Sequence, residues 1–384
     1  MAKILHIIPR MVQGGAEQLL LDYLRSAVTH HDHEALVLFS DSNPRMVAPI
    51  ASQVIERTPT SYSGLVRDIW STRRWIASQR PDAVVAWMYH AAVLAPFLVP
   101  RAVPVLAYLH NTDLSDQAKR AERMAQKALS RIARAPRMSL LYSGEASRRF
   151  HEDALGYPRA RAHMLPNGIS LEAFAPDPAR RETVRADFGI DREAFTFGCF
   201  GRFNPQKNWP LVLDALAAAK RENPAVRLIA AGRGAGTDNP DFAALVSARG
   251  LEKQVVALDA QSDMARLYDA IDALLMGSAY GEAFPLVLLE TLAMGKPAIA
   301  TALGSIPEVL DGLFPPVPVS APERFVATAV QAATGRWQGL TIPLEILRDR
   351  SVSRYGLEAY AQGFDAVLDK MLSAASSREK ECSW

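Results

Sequence analysis

Two carboxylates eight residues apart, Glu282 and Glu290 in the segment Ser278–Gly295 (SAYGEAFPLVLLETLAMG), carry the sharpest chemical signal in the chain. Pro285 suits the first turn of a helix, which leaves Glu282 in the loop before it, able to point into a cleft. Glu290 falls inside that helix beside Leu288, Leu289 and Leu292. A carboxylate on an apolar helix needs polar partners, and the hydroxyls of a sugar or ribose are good ones. The amides of Ala283, Phe284, Leu286 and Val287 at the helix start suit a phosphate. The plainer reading of Glu282 is an acidic first-turn residue favoured by the helix dipole. For Glu290 the plainer reading, an exposed edge position, is disfavoured by apolar neighbours on both sides.

A second group is cationic. In Gly201–Asn208 (GRFNPQKN), Arg202 and Lys207 follow the apolar run FTFGCF. Two fixed cations at a strand end can neutralise a diphosphate without a metal; a solvated loop with two ordinary basic residues is the alternative. Ala231–Gly236 (AGRGAG) places Gly232, Gly234 and Gly236 after another strand. This is short of the dinucleotide fingerprint, and the acidic residue expected about 20 positions on is missing, which disfavours a nicotinamide cofactor. Close backbone approach to a base or ribose stays open. Near the N-terminus, Met11–Gly15 (MVQGG) leads into a helix, where the glycines and helix amides can meet an anion; a Gly-Gly turn before a helix is more often plain punctuation. His110 and Asn111 end the apolar run VLAYLHN, where a histidine is as readily structural as functional. Pro166–Ile169 (PNGI) reads as a turn.

These residues need a frame that puts strand ends together. Short apolar runs alternate with amphipathic ones along the whole chain: strands are expected at Ile4–Ile8, Ala35–Phe39, Ala83–Trp87, Val105–Leu109 and Ser139–Tyr142, then at Phe195–Phe200, Arg227–Ala231, Val255–Leu258, Ala273–Met276 and Ala298–Ala300. Helices are expected between them, including Ala16–Ala27, Asp116–Arg134, Trp209–Glu222 and Pro285–Met294. Such alternation predicts an α/β protein with parallel sheets covered on both faces. Two series separated by the Pro- and Arg-rich stretch Phe174–Asp191 predict two doubly wound domains, 1–175 and 176–350. A last helix at about Tyr355–Leu372 follows an irregular region, and the polar residues 373–384 are expected to be disordered. Ligands of such sheets bind beyond the carboxyl ends of the strands, so a cleft between the domains is the expected site.

Composition narrows the classes. The chain has 384 residues, 49% hydrophobic and 22% charged, which excludes a mostly disordered protein. A net charge of +2 gives no overall field for nucleic acid. Cys199 and Cys382 alone can form neither a disulfide scaffold nor a four-cysteine zinc site. The opening apolar run Ile4–Ile8 is too short for a signal peptide, and Ala83–Leu109 is broken by prolines and charge, so a cytoplasmic protein, at most peripheral to a membrane, is expected. One local basic feature stands out. Arg120, Arg123, Lys127, Arg131 and Arg134 fall on one stripe of their helix, beside an apolar face of Ala121, Met124, Ala125, Ala128 and Ile132. It is either a solvated face or a contact for anionic lipid or a lipid-linked diphosphate.

Taken in order, the GG loop, PNGI, GRFNPQKN, GRG, the Glu282–Glu290 pair, MGKPAIAT and GSIPEVL (Gly304–Leu310) resemble the retaining glycosyltransferases of family 4, group 1, over nearly the full length. The resemblance implies a GT-B fold: two facing Rossmann-like domains, with a terminal helix crossing back to the first. It implies an acceptor-binding first domain and a second domain that binds a nucleotide-diphospho-sugar. Arg202 and Lys207 would hold the diphosphate, Glu290 the ribose, and Glu282 with the Ala283 and Phe284 amides the donor sugar. Gly201, Gly232 and Gly234 would line the donor, His110 would lie beside the transferring sugar, and Gly15 would let the first helix approach the phosphates. No metal and no other cofactor is expected, in keeping with the absence of an Asp-x-Asp motif. Asn111 and Ser170 stand where the family often carries Asp. The implied reaction is transfer of a hexose-type sugar, with retention, to a saccharide or lipid-linked saccharide in bacterial surface polysaccharide or glycolipid assembly. A nucleotide-sugar-hydrolysing epimerase of the same fold and a non-catalytic nucleotide-sugar binding protein are the alternatives.

Overall fold

In a computed structural model, each β-branched or aliphatic run of the sequence becomes a strand and each amphipathic run a helix laid over it. The structure describes residues 1–12, 14–26, 29–39, 54–56, 62–113 and 120–382. The chain divides into two compact units, Met1–Gly168 with Leu357–Trp384, and Ile169–Gly356.

The first unit runs β1 (Lys3–Ile8), α1 (Gly15–Arg25), β2 (Asp32–Val37), β3 (Val54–Glu56), α2 (Tyr62–Gln79), β4 (Ala83–Trp87), α3 (Met88–Leu98), β5 (Val105–Leu109), α4 (Arg120–Ile132), β6 (Met138–Tyr142), α5 (Glu145–Arg149) and β7 (Ala162–Met164). All seven strands are parallel, in the order β3-β2-β1-β4-β5-β6-β7. β4 and β5 are buried along their whole length. Helices on both faces are the reason these strands read as unbroken apolar runs rather than alternating ones.

The second unit runs α6 (Pro178–Asp187), β8 (Thr196–Phe200), α7 (Trp209–Glu222), β9 (Arg227–Ala231), α8 (Pro240–Ser247), β10 (Val255–Leu258), α9 (Met264–Ala270), β11 (Ala273–Met276), α10 (Leu286–Ala293), β12 (Ala298–Ala300), α11 (Ile306–Val309), α12 (Pro322–Ala333) and α13 (Leu344–Tyr355). Its five parallel strands follow the order β10-β9-β8-β11-β12. Its core packs α7 and α12 on the sheet through Trp209, Leu213, Leu216 and Phe325. α14 (Leu357–Cys382) then returns to the first unit. There Phe364 packs edge-on against Tyr23, with centroids 4.8 Å apart, and the Tyr23 hydroxyl donates to Asp365 Oδ1 at 2.6 Å.

Both sheets are the doubly wound parallel sheets expected from the alternation of runs. Three stretches differ from expectation. Phe174–Asp191, the Pro- and Arg-rich stretch between the two series, contains α6, whose start is fixed by Asp177 accepting from Ala179 N at 2.9 Å with Pro178 in the first turn. The region before the last helix is ordered too, with α12 and α13, and α12 again opens on a proline. α14 continues to Cys382, through most of the tail expected to be disordered. The units meet in sequence at Gly168–Ile169 and Gly356–Leu357 rather than at 175 and 350. Gln13 of the GG loop, Ala27 at the expected end of the first helix, and the expected helix start at Asp116–Lys119 lie outside the described residues. Among the described residues no helix is long and apolar enough to cross a membrane.

Candidate active site

In the second sheet the strand order reverses between β8 and β11, and the loops that leave those two neighbours open side by side. This is the crevice where open α/β sheets bind ligands. The loop after β8 carries Arg202 and Lys207; the loop after β11 carries Ser278 and Glu282. Ala279 N donates to Gln206 O at 2.8 Å and ties the two loops together.

Hydrogen bonds shape the first loop. Gly201 N donates to Ala231 O and Phe203 N to Arg233 O, both at 2.9 Å, which carries the β8–β9 pairing beyond the strands. The Asn204 side chain caps a short 3₁₀ turn by accepting from Lys207 N at 3.1 Å. The buried Trp209 indole donates to Arg202 O at 3.0 Å. The Arg202 side chain is exposed. Gly232, at φ 151°, sits against the Gly201 carbonyl, where a methyl group would overlap it.

Lys207 Nζ meets Glu282 Oε1 at 2.6 Å, and Ser278 Oγ donates to the same oxygen at 2.8 Å. Glu282 is 6% exposed. Ser278 is placed in turn by Thr301 Oγ1, which donates to Ser278 O at 2.6 Å. The backbone of Glu282 and Ala283 is backed by Gly304, at φ 53°; any side chain there would strike the Glu282 carbonyl. Ser305 N donates to Ala283 O at 2.9 Å. The ammonium is thereby preset beside a buried carboxylate instead of sampling solvent.

α10 begins at Leu286, with Pro285 as the residue before its first turn rather than within it. Ala283 and Phe284 are buried just ahead of it. Glu290 is 9% exposed and faces the core side of α10. A protein hydroxyl partners it: Tyr268 OH donates to Glu290 Oε2 at 2.6 Å. Burial, and then the carboxylate itself, push the Tyr268 phenol well above its ordinary pKa, so it remains a donor. Gly234 N donates to Asp259 Oδ1 at 2.8 Å, which fixes the glycine loop after β9 from the segment Asp259–Asp263.

In the first unit, Gly15 is the first residue of α1 and Gly14 precedes it. Glu17 is buried in that first turn and its carboxylate lies against Gly14. His110 follows β5 with its ring stacked on Trp87, centroids 5.2 Å apart and planes 7° from parallel. Its Nε2 is enclosed without a hydrogen bond, and desolvation pushes its pKa down to about 3, so the imidazole is neutral at physiological pH. On α4, Arg120, Lys127 and Arg131 are exposed and Arg123 is half-buried. The face beside them is apolar in part as expected: Ala125 and Ile132 pack against the core and Ala128 is half-buried, whereas Ala121 and Met124 are exposed, Met124 at 60%. Leu129 and Gln126 are buried on the same helix, and Gln126 Nε2 donates to Tyr89 OH at 2.9 Å.

The structure therefore brings Gly201, Lys207, Gly232, Glu282, Ala283 and Phe284 into one loop cluster, with Arg202 on its rim. Sequence reading missed the residues that orient them. Tyr268 lies 22 positions before Glu290 and no spacing rule links the two. Ser278, four residues before Glu282 at the end of an apolar run, offered a faint signal.

Comparison with known proteins bears on the family and the fold. A model of "Glycosyltransferase Family 4" matches residues 13–173, and one of "Glycosyl transferases group 1" matches residues 180–314. EpsF of Bacillus subtilis, a protein named as a glycosyltransferase, is 26% identical over 347 residues, covering 87% of this chain and 88% of its own. The D-inositol 3-phosphate glycosyltransferase of Mycobacterium marinum is 36% identical over 160 residues, 40% of this chain but only 33% of that relative. Among solved structures, Anabaena Alr3699/HepE in complex with UDP and glucose superposes with a TM-score of 0.78 at 19% identity, over 96% of this chain and 100% of that one. That likeness establishes the GT-B fold. With one family model covering β2 to β7 and the other all five strands of the second sheet, the chain belongs to the family 4, group 1 glycosyltransferases and is a glycosyltransferase.

Proposed function

We propose that this enzyme transfers a hexose-type sugar from a nucleotide-diphospho-sugar to a saccharide acceptor, with retention at the anomeric carbon and without a metal ion. The observation that carries the reading is the Lys207–Glu282–Ser278 cluster at the β8–β11 switch point, with Arg202 exposed on the same loop. Cleaving the anomeric C–O bond leaves negative charge on a diphosphate. A guanidinium, an ammonium and the amides before α10 meet that charge as it develops, which is where electrostatic catalysis is worth most. Glu282 binds the donor sugar and Glu290 the ribose diol. The acceptor attacks from the face the diphosphate leaves, and a departing phosphate oxygen takes the acceptor's proton. His110, being neutral, serves the transferring sugar as a hydrogen-bonding group and not as a cation. Gly15 keeps the start of α1 open to the donor phosphates.

The exposed cations of α4 support a lipid-linked acceptor and peripheral contact with an anionic cytoplasmic membrane surface, in surface polysaccharide or glycolipid assembly. UDP and glucose in the HepE structure make UDP and UDP-hexoses the first candidates for the donor.

The test is a thermal-shift screen of nucleoside diphosphates and nucleotide sugars, since a bound donor raises the apparent melting temperature by mass action. The stabilising donor is then assayed in chelator with a panel of acceptors. Turnover should survive EDTA, the product should keep the donor's anomeric configuration by NMR, and Lys207→Ala should lower kcat by about 100-fold or more. An inverted product, a strict need for magnesium or manganese, or a fully active Lys207→Ala enzyme would each overturn the reading.

A further inference from the structure

The first unit holds a second cluster of ligating side chains, none of which is assigned to sugar transfer. Thr29, His30 and His31, in the turn before β2, face α14 at Asp365 and Asp369. Those two aspartates are four residues apart and so share one face of the helix. His30 Nε2 lies 3.3 Å from Asp369 Oδ2, and His31 Nε2 lies 3.3 Å from Asp369 Oδ1. His30, His31 and Asp369 each offer one ligating atom, all within 4.8 Å of one another.

The group behind them is built to orient these ligands. Asp365 is 2% exposed and accepts from Tyr23 OH at 2.6 Å, Thr29 Oγ1 at 3.2 Å and His30 N at 3.1 Å. Held in this way, its Oδ2 stands 3.0 Å from His30 Nδ1. A proton on Nδ1 shared with Asp365 leaves the Nε2 lone pair aimed at Asp369. A carboxylate that fixes the tautomer and direction of an imidazole is the usual backing of a metal-bound histidine. His31 supplies an independent sign. It is more than nine-tenths buried, yet its Nε2 points at Asp369 without making a hydrogen bond. His30 and Asp369 are about half exposed, which gives an ion a way in from solvent.

We propose that His30 Nε2, His31 Nε2 and the Asp369 carboxylate bind one divalent transition-metal ion, with Asp365 as the positioning carboxylate and a fourth position open to water. Two imidazoles and one carboxylate favour zinc, cobalt or nickel over magnesium or calcium. Ala2 N donates to His31 Nδ1 at 3.4 Å, so loading shifts the His31 proton from Nε2 to Nδ1 and gives up that long contact. The ion links His30 and His31 to Asp369, which the chain separates by 339 and 338 positions, and clamps α14 onto the unit that the chain left at Gly168. It takes no part in sugar transfer, so it stands or falls apart from that reading.

The full chain, without a polyhistidine tag, is stripped with EDTA, moved to chelator-free buffer and titrated with zinc chloride by calorimetry. Melting temperature is followed in parallel, and cobalt is used for its visible absorption. One zinc per chain should bind, the melting temperature should rise, and cobalt should give the intense bands of a four-coordinate site. Magnesium chloride should do neither. His30→Ala and Asp369→Asn alter half-exposed side chains, so both should fold, as circular dichroism checks; each should weaken zinc by about tenfold or more. No saturable zinc binding, wild-type affinity in either variant, an equal effect of magnesium, or a pale six-coordinate cobalt spectrum would overturn the proposal.

Discussion

Glu290 is a buried carboxylate whose direction is set by a neighbour's phenol, and its two duties can be separated. Tyr268 OH at 2.6 Å holds one carboxylate oxygen, and in the role proposed above the group's charge also meets the ribose diol. Glu290→Gln keeps the volume and removes the charge. Charge-assisted hydrogen bonds are worth about 1.5–3 kcal/mol, so KM for the donor should rise roughly 10- to 100-fold while kcat changes little. Tyr268→Phe keeps the ring in its edge contact with Phe200, centroids 4.8 Å apart, and removes only the donor. It should cost about 1–3 kcal/mol of stability by leaving a buried acceptor short of a partner, with a smaller rise in KM. Steady-state kinetics and denaturant melts of the two variants check both points. A Glu290→Gln enzyme that lost kcat with KM unchanged would remove Glu290 from ribose binding.

At the scale of elements, legibility followed burial. Ala83–Trp87, Val105–Leu109, Arg227–Ala231 and Ala273–Met276 could be bounded from sequence because strands largely covered on both faces read as apolar runs; the half-buried edge strand Val255–Leu258 was bounded by its aliphatic composition alone. β3 and β7, three residues each, are too short to show a period. α6 and α12 were obscured because proline in a first turn resembles a break; at α6 the capping Asp177 gives the start away, whereas Ala321 before α12 offers no such cap. The loops after β8 and β11 were legible as motifs, whereas Tyr268 and Ser278 were not, because a hydrogen-bond partner is chosen by packing and not by spacing. α4 shows the same limit from the other side. Its basic stripe is exposed at Arg120, Lys127 and Arg131, and of the expected apolar face Ala125 and Ile132 pack on the core, but its most buried positions are Gln126 and Leu129. If that stripe meets anionic lipid, each cation near the surface contributes about 1 kcal/mol. Charge reversal of Arg123, Lys127 and Arg131 together should then abolish flotation with anionic liposomes and lower turnover on lipid-linked acceptors at least tenfold, leaving water-soluble acceptors unaffected. Equal flotation by wild type and variant would reduce α4 to a solvated face.

Across the whole molecule, titratable groups are distributed unevenly, and acid should expose this. All eight histidines lie between His6 and His163, in the first unit. Several are held neutral by burial. His6, bonded to His33 at 3.0 Å and to the Trp87 indole at 2.9 Å, is lowered well below the ordinary range, by desolvation first and His33 second. Desolvation also lowers His33 to about 4, His151 to about 4 and His110 to about 3. An unfolded histidine takes its proton near pH 6.5, whereas folded His33, His151 and His110 do not until about pH 3–4. Between those limits the unfolded chain binds more protons, so stability is full above about pH 7 and falls as pH drops. One shift from 6.5 to about 4, as at His33, corresponds to roughly 3 kcal/mol when fully expressed. Two or three such groups approach the ~5–15 kcal/mol that holds a whole domain together. The second unit has no histidine to contribute. Calorimetric scans from pH 8 to pH 4 should therefore resolve into two transitions. The one assigned to the first unit, followed by Trp87 in its core, should move down steeply below pH 6.5, while the other shifts only gradually. A steep acid dependence carried by the second unit, or none in either, would mean that these imidazoles are protonated in the native fold and that burial does not control them.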